Sequence, residues 1–208
     1  MPTKPPLCCC DLEGVFTPEV WIAVHHATGI PELKLTTRDV KDYDELMRMR
    51  LGVLDRHGVT LGKIQEVIEG MDLLPGARAF LDRLRGAMQV VILSDTYYEF
   101  GMPFMRKLGL PTLLCHTLET DEAGRITGYH LRSRDSKREA VAAFQGLGFR
   151  VVAMGDSYND TTMLRAADRG FLFHAPENVK KDFPDLEATD DYEVLLGKLL
   201  AAAGLAKP

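Results

Sequence analysis

Three absences bound the reading of this 208-residue chain. No apolar run approaches the roughly 18 residues that a membrane helix needs, so no span is expected. The basic surplus that marks nucleic-acid binders is missing: 25 Lys and Arg stand against 30 Asp and Glu, a formal net charge of −5. Cysteine is scarce and badly placed for cross-linking. Cys8, Cys9 and Cys10 are adjacent and Cys115 is remote, which suits neither a disulfide framework nor a zinc knuckle. They read as small buried apolar side chains, three of them in one strand, in a protein of the reducing cytoplasm. The opening MPTKPPLCCC also has no apolar run of signal-peptide length before the acidic DLEG.

What is present is a globular chain. Hydrophobic residues make up 46%, enough for a sizeable core, so intrinsic disorder is set aside. Short apolar runs alternate with helical patterns, the mark of a parallel sheet wrapped by helices in an α/β fold. The strand candidates are 7–12 (LCCCDL), 89–94 (QVVILS), 112–115 (TLLC), 150–155 (RVVAMG) and 170–173 (GFLF). Their continuous apolar character fits strands covered on both faces. Pro75 precedes a helix closing at Gly86, and Ser136 is expected to cap a helix ending near Gly146 or Gly148. Residues 124–132 are expected to form a small hairpin with CHTLE through the DEAG turn.

Residues 15–71 interrupt the alternation with a run of helical patterns, closing at Gly29, Gly58 and Gly70. The expected organisation is therefore an α/β catalytic core formed by 1–14 and 72–208, with 15–71 inserted as a helical cap after the first strand.

Ligands of open parallel sheets bind beyond the carboxyl ends of the strands. Reactive groups gather there: Asp11 and Glu13 after LCCC, Ser94 and Asp95 after VVIL, and Asp156, Asn159 and Asp160 after VVAM. Lys137 lies just inside a helix start. Side chains two apart on an extended chain point the same way, so Asp11 and Glu13 face one reaction centre. Paired carboxylates suit a nucleophile beside a proton donor, their roles separated by environment. Asp11 must be ionised to attack phosphorus, whereas Glu13 must hold a proton for a leaving alkoxide. Ser94 and Lys137 suit phosphoryl oxygens, and Asp156 with Asp160 would complete an oxygen-rich Mg²⁺ shell with Asp11 and Glu13. Taken singly each signal is weak. Asp95 equally reads as a turn or helix cap, Lys137 as a solvated helix residue and Asp156 as a turn residue. Their shared place after successive strands is the stronger observation.

DLEGV, VVILSD, the lysine of SRDSKREA and GDSYND resemble, in that order, the four motifs of the haloacid-dehalogenase-like phosphohydrolase superfamily. The resemblance spans roughly residues 7–174 and covers the helical insertion. It implies a parallel Rossmann-like sheet, an aspartyl-phosphate on Asp11, acid/base work by Glu13 and phosphate binding by Ser94 and Lys137. It also implies Mg²⁺ held by Asp11, the Glu13 main chain and Asp156. Within the superfamily, PEVWIA, LSDTYYEF, TLLCH, GDSYNDTTML and FHAPENV resemble the phosphoserine phosphatase branch, nearest its bacterial phosphoserine:homoserine phosphotransferases. Glu13-Gly14 and Asp95-Thr96 depart from ordinary phosphoserine phosphatases and favour the transferase subgroup. By the same resemblance Glu19 takes a substrate ammonium and Arg50 a substrate carboxylate. The implied ligands are a phosphorylated amino acid as donor and homoserine or water as acceptor, with no nucleic acid and no membrane. Oligomeric state stays open, a homodimer included.

Another small phosphate monoester remains a rival substrate. A phospho-accepting regulator needs neither Glu13 nor a large insertion. Adjacent His25 and His26 point about 100° apart on a helix, which suits an exposed edge better than a metal site. His174 is expected to pack a loop, and the acidic residues at 185–191 to form a solvated face and a helix start.

Overall fold

The computed structural model describes residues 4–36, 39–40 and 42–205. Among them are seven strands in one sheet: β1 (Pro6–Cys10), β2 (Gln89–Tyr97), β3 (Thr112–Thr120), β4 (Ile126–His130), β5 (Arg150–Gly155), β6 (Arg169–Phe173) and β7 (Glu187–Thr189). Their spatial order is β4-β3-β2-β1-β5-β6-β7, and every pairing is parallel except β3 with β4. The hairpin expected at 124–132 is present as that antiparallel pair. β7 escaped sequence reading because it is a three-residue edge strand of Glu, Ala and Thr, too short and polar to show a strand period.

The cysteine run forms the central strand. β1 pairs with β2 on one side and β5 on the other, and Cys8, Cys9 and Cys10 are fully buried free thiols. Alternation divides them between the two layers that cover the sheet. Cys8 and Cys10 pack with Phe80, Leu84, Leu195 and Leu199, while Cys9 packs with Val141, Met163 and Val179. The helices on the first side are α4 (Ala77–Ala87) and α9 (Tyr192–Ala203), and α6 (Ser136–Gly146), α7 (Thr161–Ala166) and α8 (Glu177–Asp182) lie on the second.

Between β1 and α4 stand α1 (Val20–Thr28), a 3-10 turn at Pro31–Lys34, α2 (Tyr43–Arg56) and α3 (Leu61–Gly70). Asp42 and Thr60 cap α2 and α3 by accepting from Glu45 N and Lys63 N, and Gly29 ends α1 in the left-handed region at φ 70°. These helices rest on the sheet's β3 side. α3 packs on α5 (Tyr98–Lys107), Gln65 donates to the Glu99 carbonyl, and Leu61 N donates to the Gly124 carbonyl in the β3–β4 turn. Lys107 Nζ donates to the carbonyls of Glu69 and Met71, tying the end of α3 to α5.

The sheet and α7 meet closely at Gly170 in β6, where an added Cβ would lie 2.3 Å from the Leu164 carbonyl oxygen. Gly170→Ala is expected to cost about 1–3 kcal/mol by forcing backbone apart, read as a melting-midpoint drop of roughly 2–4 °C per kcal/mol. Gly146→Ala, whose Cβ meets nothing within 4 Å, serves as the control and should leave the midpoint in place. Equal midpoints for the two variants would contradict the close packing described.

Candidate active site

The carboxyl ends of β1, β2 and β5 lie side by side; the chain turns into a short polar loop after β1 and after β5, while β2 carries Ser94 and Asp95 within the strand and passes at Tyr98 into α5. Asp11 follows β1 directly, its N–H donating to the Met154 carbonyl of β5 at 3.0 Å. The next residues fold into a tight loop in which Gly14 N and Thr17 N donate to the carbonyls of Thr17 and Leu12. Gly14 is required twice over. Its φ is 77°, and a Cβ there would fall 2.4 Å from the Asp156 carboxylate. Gly155 admits Asp160 in the same way, since its Cβ would lie 2.4 Å from that carboxyl carbon.

Lys137 is the hub. Its ammonium, on the second residue of α6, reaches Asp11 Oδ1 at 2.8 Å, Asp160 Oδ1 at 2.7 Å and Asp95 Oδ2 at 3.4 Å. Burial alone would lower its pKa, but Asp11, Asp160 and Asp95 together hold it well above the ordinary lysine range. One ammonium does not neutralise the group around it. Oxygens of Asp11, Asp156 and Asp160 lie within 4.8 Å of one another. Burial, then the Asp160 charge, pushes the Asp11 carboxyl up against the opposing pull of Lys137. Burial, Asp160 and Glu19 push Asp156 up to about 7.

The three carboxylates differ in what remains open. Asp160 Oδ1 takes Lys137, and its Oδ2 accepts from the backbone N–H of Asp156 at 2.9 Å and of Ser157 at 3.1 Å. Both oxygens are therefore engaged by the protein. Asp11 Oδ2 receives no protein donor among the described residues, and Asp156 points at the gap left by Gly14. Three crowded carboxylates, with Asp11 and Asp156 open and raised in pKa, form a hard oxygen site of the kind that suits a divalent cation.

Glu13 sits apart from this cluster. Its Oε2 accepts from Val20 N, the first residue of α1, at 2.9 Å. Burial first, then the neighbouring Glu19 carboxylate, raises it to about 8 despite hydrogen bonds from Val20 and the Thr96 side chain. Glu13 thus holds a proton at neutral pH while facing the same loop as Asp11. Ser94 is buried and its Oγ accepts from Thr96 N at 3.2 Å, which leaves its own hydrogen to donate.

Asp95 has a different place from Ser94. Its carboxylate accepts from Asn159 Nδ2 at 2.9 Å and Ser136 Oγ at 3.3 Å, and lies 3.6 Å from His116 Nε2. Burial would raise it, but Lys137, His116 and Asn159 prevail and hold it well below the usual carboxylate range. Ser136, expected as a helix cap, is instead the first helical residue and turns its hydroxyl to Asp95.

On the inserted helices Glu19 lies beside Glu13 and close to Asp156. Arg50 is 6% exposed, with Nη2 donating to the Leu35 carbonyl at 2.8 Å and the guanidinium 4.3 Å over the Trp21 ring. It forms no ion pair among the described residues, and its buried Nε has no partner. Sequence reasoning noted Thr96 only as a departure from the family pattern and gave no site role to it or to His116, Tyr43 and Tyr97, which border this region. The signal was slight: the strand through LSD runs on to Tyr97, and that continuation alone brings Thr96 and Tyr97 to the site. Of the paired histidines only His26 is exposed; His25 is half-buried, its Nδ1 pairing with the Ile30 carbonyl at 2.8 Å. His174 stacks on Phe173 with centroids 3.9 Å apart, as its expected loop-packing role requires.

Known proteins resemble this chain in sequence and in fold. A model of the haloacid dehalogenase-like hydrolase family matches residues 8–168. The phosphoserine phosphatase ThrH of Pseudomonas aeruginosa is 57% identical over 197 residues, covering 95% of this chain and 96% of its own. A phosphoserine phosphatase of Pseudomonas syringae pv. tomato is 54% identical, covering 95% and 83%. Among solved structures, an apo phosphoserine phosphatase superposes with a TM-score of 0.75 at 18% identity, covering 95% of this chain and 98% of its own. A phospho-aspartyl intermediate analogue of phosphoserine phosphatase gives 0.74 at 19% identity, covering 94% and 99%. The last two likenesses are of fold. With a matching family model over most of its length and relatives above half identity, this chain belongs to the haloacid dehalogenase-like hydrolases.

Proposed function

We propose that the protein transfers the phosphoryl group of phosphoserine to Asp11 and thence to homoserine or water, with Mg²⁺ as cofactor. The observation that carries this reading is the convergence of Asp11 and Asp160 on Lys137 with Asp156 beside them, while Glu13, two residues along the chain from Asp11, keeps a proton. The names of the two relatives above half identity supply the substrate class.

In the first step an Asp11 oxygen forms a bond to phosphorus as the ester P–O bond breaks, and the Glu13 proton passes to the departing serine oxygen. In the second, Glu13 takes the proton of the acceptor hydroxyl, whose oxygen bonds phosphorus and frees Asp11. Lys137 and Ser94 suit the non-bridging oxygens as charge and hydrogen-bond donor. Asp11 and Asp156 would be the carboxylate ligands of the metal with the Glu13 carbonyl, and Asp160 would brace them from behind. When bound, the ion offsets the carboxylate charge and polarises the phosphoryl oxygens. Asp95, itself an anion, would serve phosphate binding through Lys137 and Asn159 rather than by contact.

Residues 15–71 would form a cap over this centre. Glu19 adds negative charge beside Glu13 and Asp156, which favours a substrate ammonium. Arg50, buried without a carboxylate partner, suits a substrate carboxylate.

The direct test is turnover of phosphoserine with Mg²⁺, with and without homoserine, and products identified by mass. Serine with phosphate or phosphohomoserine is expected, and Asp11→Asn should lower the rate by on the order of 10³-fold or more. Full activity in that variant would remove the nucleophile. No phosphohomoserine at saturating homoserine would leave hydrolysis alone.

Metal binding has its own readout in stability. The carboxyls of Glu13 and Asp156 are raised in the folded protein to about 8 and about 7, so the metal-free fold binds their protons more tightly than the unfolded chain. Their contribution is complete below ordinary carboxylate pKa values and is lost as pH climbs through 7 to 8. A cation would replace the Asp156 proton and leave that of Glu13, whose carboxyl is not a ligand, so the Mg²⁺-induced rise in melting midpoint should be larger near pH 8 than near about pH 5. Asp156→Asn should shrink it. A midpoint shift equal at both pH values, or untouched in Asp156→Asn, would contradict this assignment.

A further inference from the structure

The Arg50 guanidinium does not stand alone. Tyr43 of α2 and Tyr97 of β2 join their hydroxyls at 2.7 Å across the junction between the inserted helices and the sheet. Two phenols carry two hydrogens, and their mutual bond uses one. The second has no protein acceptor among the described residues, whichever ring is the donor. Tyr97 is 1% exposed and Tyr43 half-buried, so the hydrogen is closed off from bulk water where it is Tyr97's and partly so where it is Tyr43's.

Its surroundings show where it points chemically. Both phenols lie near enough to Arg50 to interact with its charge, and Tyr43 also senses Asp95 and Glu13. The pair therefore lies within electrostatic reach of Arg50 and, through Tyr43, of Glu13 and Asp95. Burial raises both phenols, Tyr43 to about 12, so they remain neutral O–H donors across the physiological range. Aromatic packing fixes the pair. Trp21 lies under Arg50 and meets Phe100 edge-on at 5.6 Å, Phe100 meets Tyr97 at 5.6 Å, and Tyr129 closes on Tyr43 and Tyr97 at 6.1 and 6.2 Å. Tyr129 is itself held by a hydrogen bond to Asp44.

The result is a buried cation with an orphaned Nε beside an orphaned O–H. All the uncommitted groups are donors. A planar monoanion with two acceptor oxygens satisfies such a set, and a carboxylate does so without a second charge to neutralise. We infer that Tyr43 and Tyr97 are specificity-determining residues that complete, with Arg50, a subsite for the substrate's carboxylate. This rests on the phosphorylated-amino-acid reading above and deepens it. Because the pair spans α2 and β2, a bound carboxylate also bridges the inserted helices to the sheet, and a phosphate ester lacking that group forfeits both contacts.

The test compares phosphoserine with phosphoethanolamine, which lacks only the carboxylate, on the wild type and on Tyr43→Phe/Tyr97→Phe. Phosphoethanolamine is followed as a substrate or, if it is not turned over, as a competitive inhibitor. The double variant should raise KM for phosphoserine about tenfold or more with kcat little changed, the loss of a charge-assisted hydrogen bond. The constant for phosphoethanolamine should stay within about twofold. Equal weakening of both ligands would make the pair a mere fastening between helices and sheet and overturn the inference, as would an unchanged phosphoserine KM. If the double variant does not fold, Tyr43→Phe and Tyr97→Phe singly carry the test, each with a selective rise on the order of threefold. A wild type that ignores phosphoserine would instead overturn the substrate reading, and this inference with it.

Discussion

The Lys137 ammonium, buried against Asp11 and Asp160, is the interaction on which the site depends. It joins the first residue after β1 to the loop after β5 and, through Asp95, to the end of β2. Removing one partner from such a cluster leaves uncompensated buried charge, which is strongly destabilising. The cluster is also unbalanced by construction. A single ammonium faces Asp11, Asp156, Asp160 and Asp95, and the excess appears as raised carboxyl pKa values at Asp11 and Asp156. The same crowding that burdens the metal-free fold is what makes it receptive to a cation.

Glu13 escapes that balance by leaning the other way. It lies against the start of α1 and beside Glu19, so its proton affinity is set by the inserted helices and not by Lys137. Two carboxyls two residues apart thus stand in two different neighbourhoods, one at the sheet edge and one against α1. Any movement of α1 would shift the surroundings of Glu13 and Glu19 together.

Much of this was legible in the sequence, for physical reasons. The central strands are buried on both faces, so CCC, VVIL and VVAM stand out as continuous apolar runs, and the polar residues after them had to fall on one edge. Asp11, Glu13, Ser94, Asp95, Asp156, Asn159 and Asp160 were located that way. Lys137 was found by its helix start and by family resemblance. Side-chain partnerships were not legible. Whether Asp160 lends an oxygen outward or spends both on Lys137 and two backbone amides depends on rotamers that no spacing encodes. The Tyr43–Tyr97 pair joins residues 54 positions apart in different elements, and nothing local distinguishes either tyrosine from a packing residue. β7 was missed because an edge strand of three polar or small residues has no pattern to read.

The central claim is that Asp11 carries the phosphoryl group between donor and acceptor. Rapid acid quenching during phosphoserine turnover, followed by mass mapping of the digested protein, reads this directly. The account predicts a phosphoryl adduct on the peptide that contains Asp11, absent when phosphoserine is omitted. Turnover accompanied by an adduct at another residue, with the Asp11 peptide unmodified throughout, would contradict it.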